Sequence, residues 1–163
     1  DVHGSRGLGD VYKRQIRDII PDVSLSTDII VGFPGETDDD FQDTMNIVKY
    51  VEFDSVYMFQ FSPRPGTKAY DMEDEFVNQD IIKKRFQHLK DVQTDISEKR
   101  LKRYVGTKQL LLIEKPSKKN NRVLTGKIDS GQITHIDKKN VSIGDIVQVK
   151  ITDSTPFLSL IHI

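Results

Sequence analysis

Ser24-Leu25-Ser26-Thr27-Asp28-Ile29-Ile30-Val31-Gly32-Phe33-Pro34-Gly35-Glu36-Thr37 is the stretch on which the fold of the first half turns. It begins with alternating character and becomes a continuous apolar run, the pattern of a strand buried on both faces, as in a parallel sheet. Gly32-Phe33-Pro34-Gly35 breaks the run. Thr37 is placed to cap a helix from Asp38 to about Val51, with Asp38, Asp39 and Asp40 in the first turn, where the helix dipole favours negative charge. Phe41, Met45 and Val48 fall at helical spacing and are predicted to face inward. Phe53 to Phe61 is aromatic and β-branched and reads as the next strand. Strand, helix and strand with short connections make a parallel βαβ unit, right-handed by default.

Outward from that unit, Ser62-Pro63-Arg64-Pro65-Gly66-Thr67 is a loop, and Asn78 can cap a long helix from Gln79 to about Tyr104, ended by Gly106. Its predicted inward stripe is Ile82, Phe86, Leu89, Gln93, Ile96 and Arg100. Beyond Thr107 the pattern changes. Gln109–Glu114, Arg122–Ile128, Gln132–Ile136 and Asp145–Thr152 read as short strands separated by turn residues, which predicts a small antiparallel β-barrel. The fold class is therefore α/β followed by a small barrel, with a boundary near Gly106.

The ends read differently. The stretch Gly9-Asp10-Val11-Tyr12-Lys13-Arg14-Gln15 and the stretch Leu158-Ser159-Leu160-Ile161-His162-Ile163 resemble translated sequencing-adapter read-through. The expected organisation is a non-native tail over 1–15, an α/β segment over 16–105, the barrel over 106–157 and a second non-native tail over 158–163. On that expectation the native protein continues in both directions.

Composition excludes several classes of chemistry. The 163 residues include no cysteine, which removes disulfides, thiolate metal sites and cysteine nucleophiles. His88 and His135 stand in no catalytic motif, and the acidic run at 38–40 is explained by a helix N-terminus, so neither a metal site nor a catalytic residue is expected in this chain. No stretch approaches 18 apolar residues, so no membrane span is expected. The net charge of −1 conceals a split. Residues 16–77 hold 4 Lys/Arg and 14 Asp/Glu, giving −10, whereas residues 78–127 hold 14 and 5, giving +9. Such a split suits a polyanionic partner for the second region, although a solvated basic helix beside an acidic surface would give the same counts. Around the barrel stand Lys108, Lys115, Lys118, Lys119, Arg122 and Lys127, the charged groove of a small barrel that binds single-stranded nucleic acid. Tyr104 is the nearest aromatic, so phosphate contacts are expected to outweigh base stacking.

Ser26 to Thr37, followed by Asp40-Phe41 and then Phe61-Ser62-Pro63-Arg64-Pro65-Gly66-Thr67, resembles the late barrel segment of the radical-SAM tRNA methylthiotransferases. Within that family it is most similar to the branch that adds a methylthio group to C2 of N6-isopentenyladenosine beside the anticodon. Ile113-Glu114, Ser117-Lys118-Lys119, Thr125-Gly126-Lys127 and Ile143-Gly144-Asp145-Ile146-Val147-Gln148-Val149 resemble the family's C-terminal RNA-binding barrel, the OB-like TRAM domain. The resemblance implies the end of a (β/α) radical-SAM barrel, a long helix and a TRAM domain, belonging to a cytoplasmic, monomeric enzyme. That parent enzyme would use S-adenosylmethionine and two 4Fe–4S clusters, whose cysteine ligands this chain lacks. By the same resemblance, Asp28, Gly32, Phe33, Pro34, Gly35 and Glu36 would face S-adenosylmethionine. Ser62, Arg64 and Gly66 would lie at the mouth of the substrate pocket, and the partner would be a tRNA anticodon stem-loop rather than DNA. Two other readings stay open: a sibling acting on threonylcarbamoyladenosine in tRNA or on a ribosomal-protein aspartate, and a non-enzymatic RNA-binding module.

Overall fold

β1 (Ser26–Val31) and β2 (Ser55–Gln60) pair in parallel, with Ser26 opposite Ser55 and Val31 opposite Gln60, and α1 (Asp38–Val51) connects them. The computed structural model describes residues 15–21, 23–118, 120–155 and, as backbone alone, 158–162. The N-terminal stretch 1–14 and Lys119 therefore lie outside the described residues. α1 starts as its sequence predicts. The Thr37 hydroxyl accepts from the Asp40 N–H, and the Asp40 carboxylate accepts from the Thr37 N–H, a reciprocal capping box. Phe41, Met45, Val48 and Val51 are buried.

The chain divides into two units, residues 25–96 and, for the rest of the described chain, 17–24 with 97–162. The division falls inside α2 (Gln79–Lys102), after Ile96. In the first unit, Val31, Phe41, Met45, Val48, Leu89 and Ile96 form one core, each buried side chain contributing about 1.5–3 kcal/mol of transfer free energy. That core takes one face of the two-stranded sheet, through Ile29, Val31 and Met58. The other face is open and carries Asp28 and Ile30 on β1 beside Tyr57 and Phe59 on β2. Of the predicted α2 stripe, Ile82, Leu89, Gln93 and Ile96 are buried, and the Gln93 amide donates to the Phe53 carbonyl at 2.8 Å. A 3-10 turn at Glu73–Glu75, absent from the sequence reading, precedes α2.

The second unit is a closed five-stranded barrel. β3 (Lys108–Pro116), β4 (Val123–Ile128), β5 (Ile133–Asp137), β6 (Ile146–Thr155) and β7 (Leu158–His162) close in the order β3-β4-β5-β7-β6. Two features depart from the reading of the sequence. The barrel is antiparallel except at β5–β7, which pair in parallel. The closing strand is β7, formed by residues whose resemblance to sequencing-adapter read-through marks them as a tail outside the fold. The β5-to-β6 connection leaves room for a later strand to enter between them, and β7 does so. The core is made of alternate residues, among them Leu111, Ile113, Leu124, Ile128, Ile136, Val149 and Ile151. Thr125 is also buried, and its hydroxyl meets His135 Nδ1 at 3.0 Å.

Candidate functional site

Two regions gather the sequence-predicted site residues, one in each unit. In the first, the chain leaves β1 and turns through Gly32-Phe33-Pro34-Gly35 into the capped helix. Gly32 and Gly35 both take left-handed φ angles, +78° and +77°. At Gly32 a side chain is also crowded out by Ile82, whereas at Gly35 the nearest atom is the movable tip of Glu75. A Cβ on Gly32 would lie 2.3 Å from Ile82, and one on Gly35 would lie 2.8 Å from a Glu75 carboxylate oxygen. Gly32 therefore permits close packing against Ile82.

The Glu36 side chain turns back into the fold. Its carboxylate accepts from the Gly32 N–H and from Arg85 at 2.9 Å. Arg85, on α2, also donates to the Glu36 carbonyl at 3.1 Å and to Asp38 at 2.7 Å. The Arg85 and Glu36 side chains are 8% and 11% exposed, while Asp38 is 96% exposed. Burial opposes the charge on Arg85, but the hydrogen bonds and charges of Asp38 and Glu36 outweigh it and hold its pKa above the usual arginine value. Arg85 also sits 5.5 Å from the centre of the Phe41 ring. The turn is thus fixed by an arginine that the sequence reading missed, since one basic residue in a basic helix gives no signal of burial.

Of the residues of this region, Asp28, Phe33 and Gly35 are exposed, Glu36 is half-buried, and Gly32 and Pro34 are buried. Phe33 packs edge-on against Phe61, and Phe61 against Phe76. Just beyond Phe61, Ser62, Arg64 and Gly66 are all exposed. Arg64-Pro65-Gly66-Thr67 forms a tight turn, closed by Thr67 N–H and hydroxyl bonds to the Arg64 carbonyl at 3.3 and 2.8 Å, with Gly66 at φ +84°. Arg64 and Gly66 therefore share one exposed turn, and Ser62 precedes it.

In the barrel, the predicted basic residues are not one cluster. Lys108 begins β3, opposite Lys150, and Lys118 follows the far end of the same strand. Eight residue steps at about 3.3 Å each separate Lys108 from Pro116 along β3, roughly 26 Å. Lys127 faces outward mid-barrel and has Glu114 at 3.8 Å. Lys115, Lys118 and Arg122 are exposed toward the β3–β4 end. Tyr104 is buried against the barrel core, with the Arg103 guanidinium 4.8 Å from its ring centre and a 2.8 Å bond from Arg103 to its hydroxyl. Its ring is therefore closed to a nucleobase. Among the described residues, no group of three or more His, Cys, Asp or Glu could hold a metal ion. No helix of the described residues is long and apolar enough to cross a membrane.

Residues 102–159 match the TRAM domain family. Along 87% of its length the chain is 41% identical to a protein of Corynebacterium jeikeium named tRNA-2-methylthio-N(6)-dimethylallyladenosine synthase. Proteins of the same name from Clostridium botulinum and Geobacillus kaustophilus are each 43% identical, over 88% and 86% of the chain. The chain spans 28%, 32% and 26% of these three relatives. The similarity runs through both units.

Proposed function

We infer that this chain, similar through both of its units to the tRNA-2-methylthio-N(6)-dimethylallyladenosine synthases, is the C-terminal portion of a radical-SAM tRNA methylthiotransferase. In that reading the whole enzyme adds a methylthio group to C2 of N6-isopentenyladenosine beside the anticodon, in the cytoplasm and as a monomer. The single observation that carries it is the identity shared by the turn-bearing unit and the barrel alike, which a free-standing RNA-binding module does not require. The relatives' names favour the isopentenyladenosine branch over its siblings.

Within that enzyme the first unit would contribute a wall of the reaction chamber. Phe33 is exposed just beyond the carboxyl end of β1, where ligands of parallel α/β folds bind, and Asp28 is exposed within the strand; both would meet S-adenosylmethionine. Gly32, Pro34, Gly35 and Glu36 would hold the turn behind them. Ser62, Arg64 and Gly66 would meet the substrate base or a neighbouring phosphate. S-adenosylmethionine, when bound, supplies the radical and methyl chemistry. The iron–sulfur clusters do not fit this chain, because no cysteine is present to ligate iron. Anaerobic reconstitution of this chain with iron and sulfide is expected to yield no visible cluster absorption, and a stable brown species would contradict that.

A chimaera tests the assignment. Residues 16–157 would replace the matching portion of the Corynebacterium jeikeium relative, and digested tRNA would be analysed by mass spectrometry. Formation of 2-methylthio-N6-isopentenyladenosine is expected. A folded chimaera that binds tRNA but leaves isopentenyladenosine unmodified would overturn the reading.

A further inference from the structure

We propose that the RNA-contacting surface of the barrel is one end of it, built from two loops, and that Lys138 and Lys139 belong to it together with Lys118 and Arg122. This rests on the tRNA reading above and locates the contact within it. Two backbone bonds bring the loops side by side. The Ser117 N–H donates to the Val123 carbonyl at 2.9 Å, which closes the β3–β4 loop. The Lys138 N–H donates to the Arg122 carbonyl at 2.8 Å, which lays the stretch after β5 against that loop. The register of β4 and β5, with Val123 opposite Asp137, fixes the same adjacency. Lys118, Arg122, Lys138 and Lys139 are all exposed.

The carboxylates at this end are fewer. Asp137 is exposed, and Asp145 is occupied by the Ser142 N–H at 2.8 Å. Four cations thus face two carboxylates across two adjoining loops. Elsewhere on the barrel positive charge is sparser: Lys127 has Glu114 beside it, and Lys108 and Lys150 stand opposite one another as a single pair. A polyphosphate chain laid over the two-loop end would neutralise several cations at once, whereas a path along β3 would meet them singly. Asn120 and Asn140, also exposed, add amide groups able to bond phosphate or ribose oxygens.

The test is fluorescence anisotropy of the full chain with a labelled anticodon stem-loop RNA at several salt concentrations, with three double variants. Lys138→Ala with Lys139→Ala is expected to weaken binding about fivefold to tenfold and to flatten the slope of log K against log salt by about 1.4, two phosphate contacts' worth on single-stranded RNA. Lys118→Ala with Arg122→Ala should do the same, and Lys108→Ala with Lys150→Ala should stay within about twofold of the parent. Circular dichroism of each variant confirms the fold. If the Lys118/Arg122 pair matters and the Lys138/Lys139 pair does not, the two-loop surface is wrong while the RNA reading stands. If the Lys108/Lys150 pair carries the effect, the opposite end binds. If the parent chain does not bind the RNA, or no pair changes affinity or slope, the RNA reading of the barrel fails with it.

Discussion

Replacing Arg85 with alanine is expected to cost the first unit about 3 kcal/mol, because it strips the partner from a nearly buried carboxylate. Glu36 would keep the Gly32 N–H but lose both Arg85 bonds, one to its carboxylate and one to its carbonyl. Asp38 adds little to this cost, since an ion pair with so exposed a partner is screened by solvent. Arg85→Lys should recover less than half the loss: one ammonium cannot reproduce a planar fork that reaches Glu36 and Asp38 together. Urea denaturation followed by an amide-exchange readout of residues 25–96 would measure both variants. An alanine variant within about 0.5 kcal/mol of the parent, the range of an ordinary surface substitution, would show that the turn does not depend on this residue.

Gly126→Ala is expected to disable the barrel. A Cβ at this position would lie 2.0 Å from the Leu112 carbonyl oxygen and 2.9 Å from a Leu111 methyl. The first obstacle is backbone inside a paired strand, opposite Gly126 across β3–β4, so it cannot rotate away as a side-chain tip would. Overpacking of this kind costs about 3 kcal/mol or more. Gly131 is the useful contrast. A Cβ there meets nothing within 4 Å, and the penalty comes only from its φ of +80°. Gly131→Ala should therefore cost about 1–2 kcal/mol. Thermal melts followed by circular dichroism would rank the two, and equal melting temperatures would remove the steric argument.

The parts of the fold that follow from short-range pattern could be read in the sequence. Thr37 with Asp40 specifies the start of α1, and the apolar spacing of Phe41, Met45 and Val48 specifies its buried face. The alternation from Leu111 to Ile113 and from Val149 to Ile151 places the barrel strands. What escaped depends on long-range partners. Arg85 is a surface residue by composition, and its burial is set by Glu36 and Asp38 nearly fifty positions earlier. The close packing of Gly32 depends on Ile82, a residue of α2 far along the chain. Lys138 and Lys139 carry no local signal, and only the β4–β5 register puts them beside Arg122. Residues 158–162 resemble adapter read-through in sequence, although their backbone completes the barrel.

The strand order gives that last point a consequence in time. β7 is the final strand of the barrel to leave the ribosome, yet its place is between β5 and β6, both made earlier. Until residues 158–162 emerge, β5 and β6 each present an unpaired edge with no covalent neighbour to cover it. Synthesis therefore passes through an interval in which a nearly finished sheet can accept a foreign strand, including the same segment from a neighbouring nascent chain on one polysome.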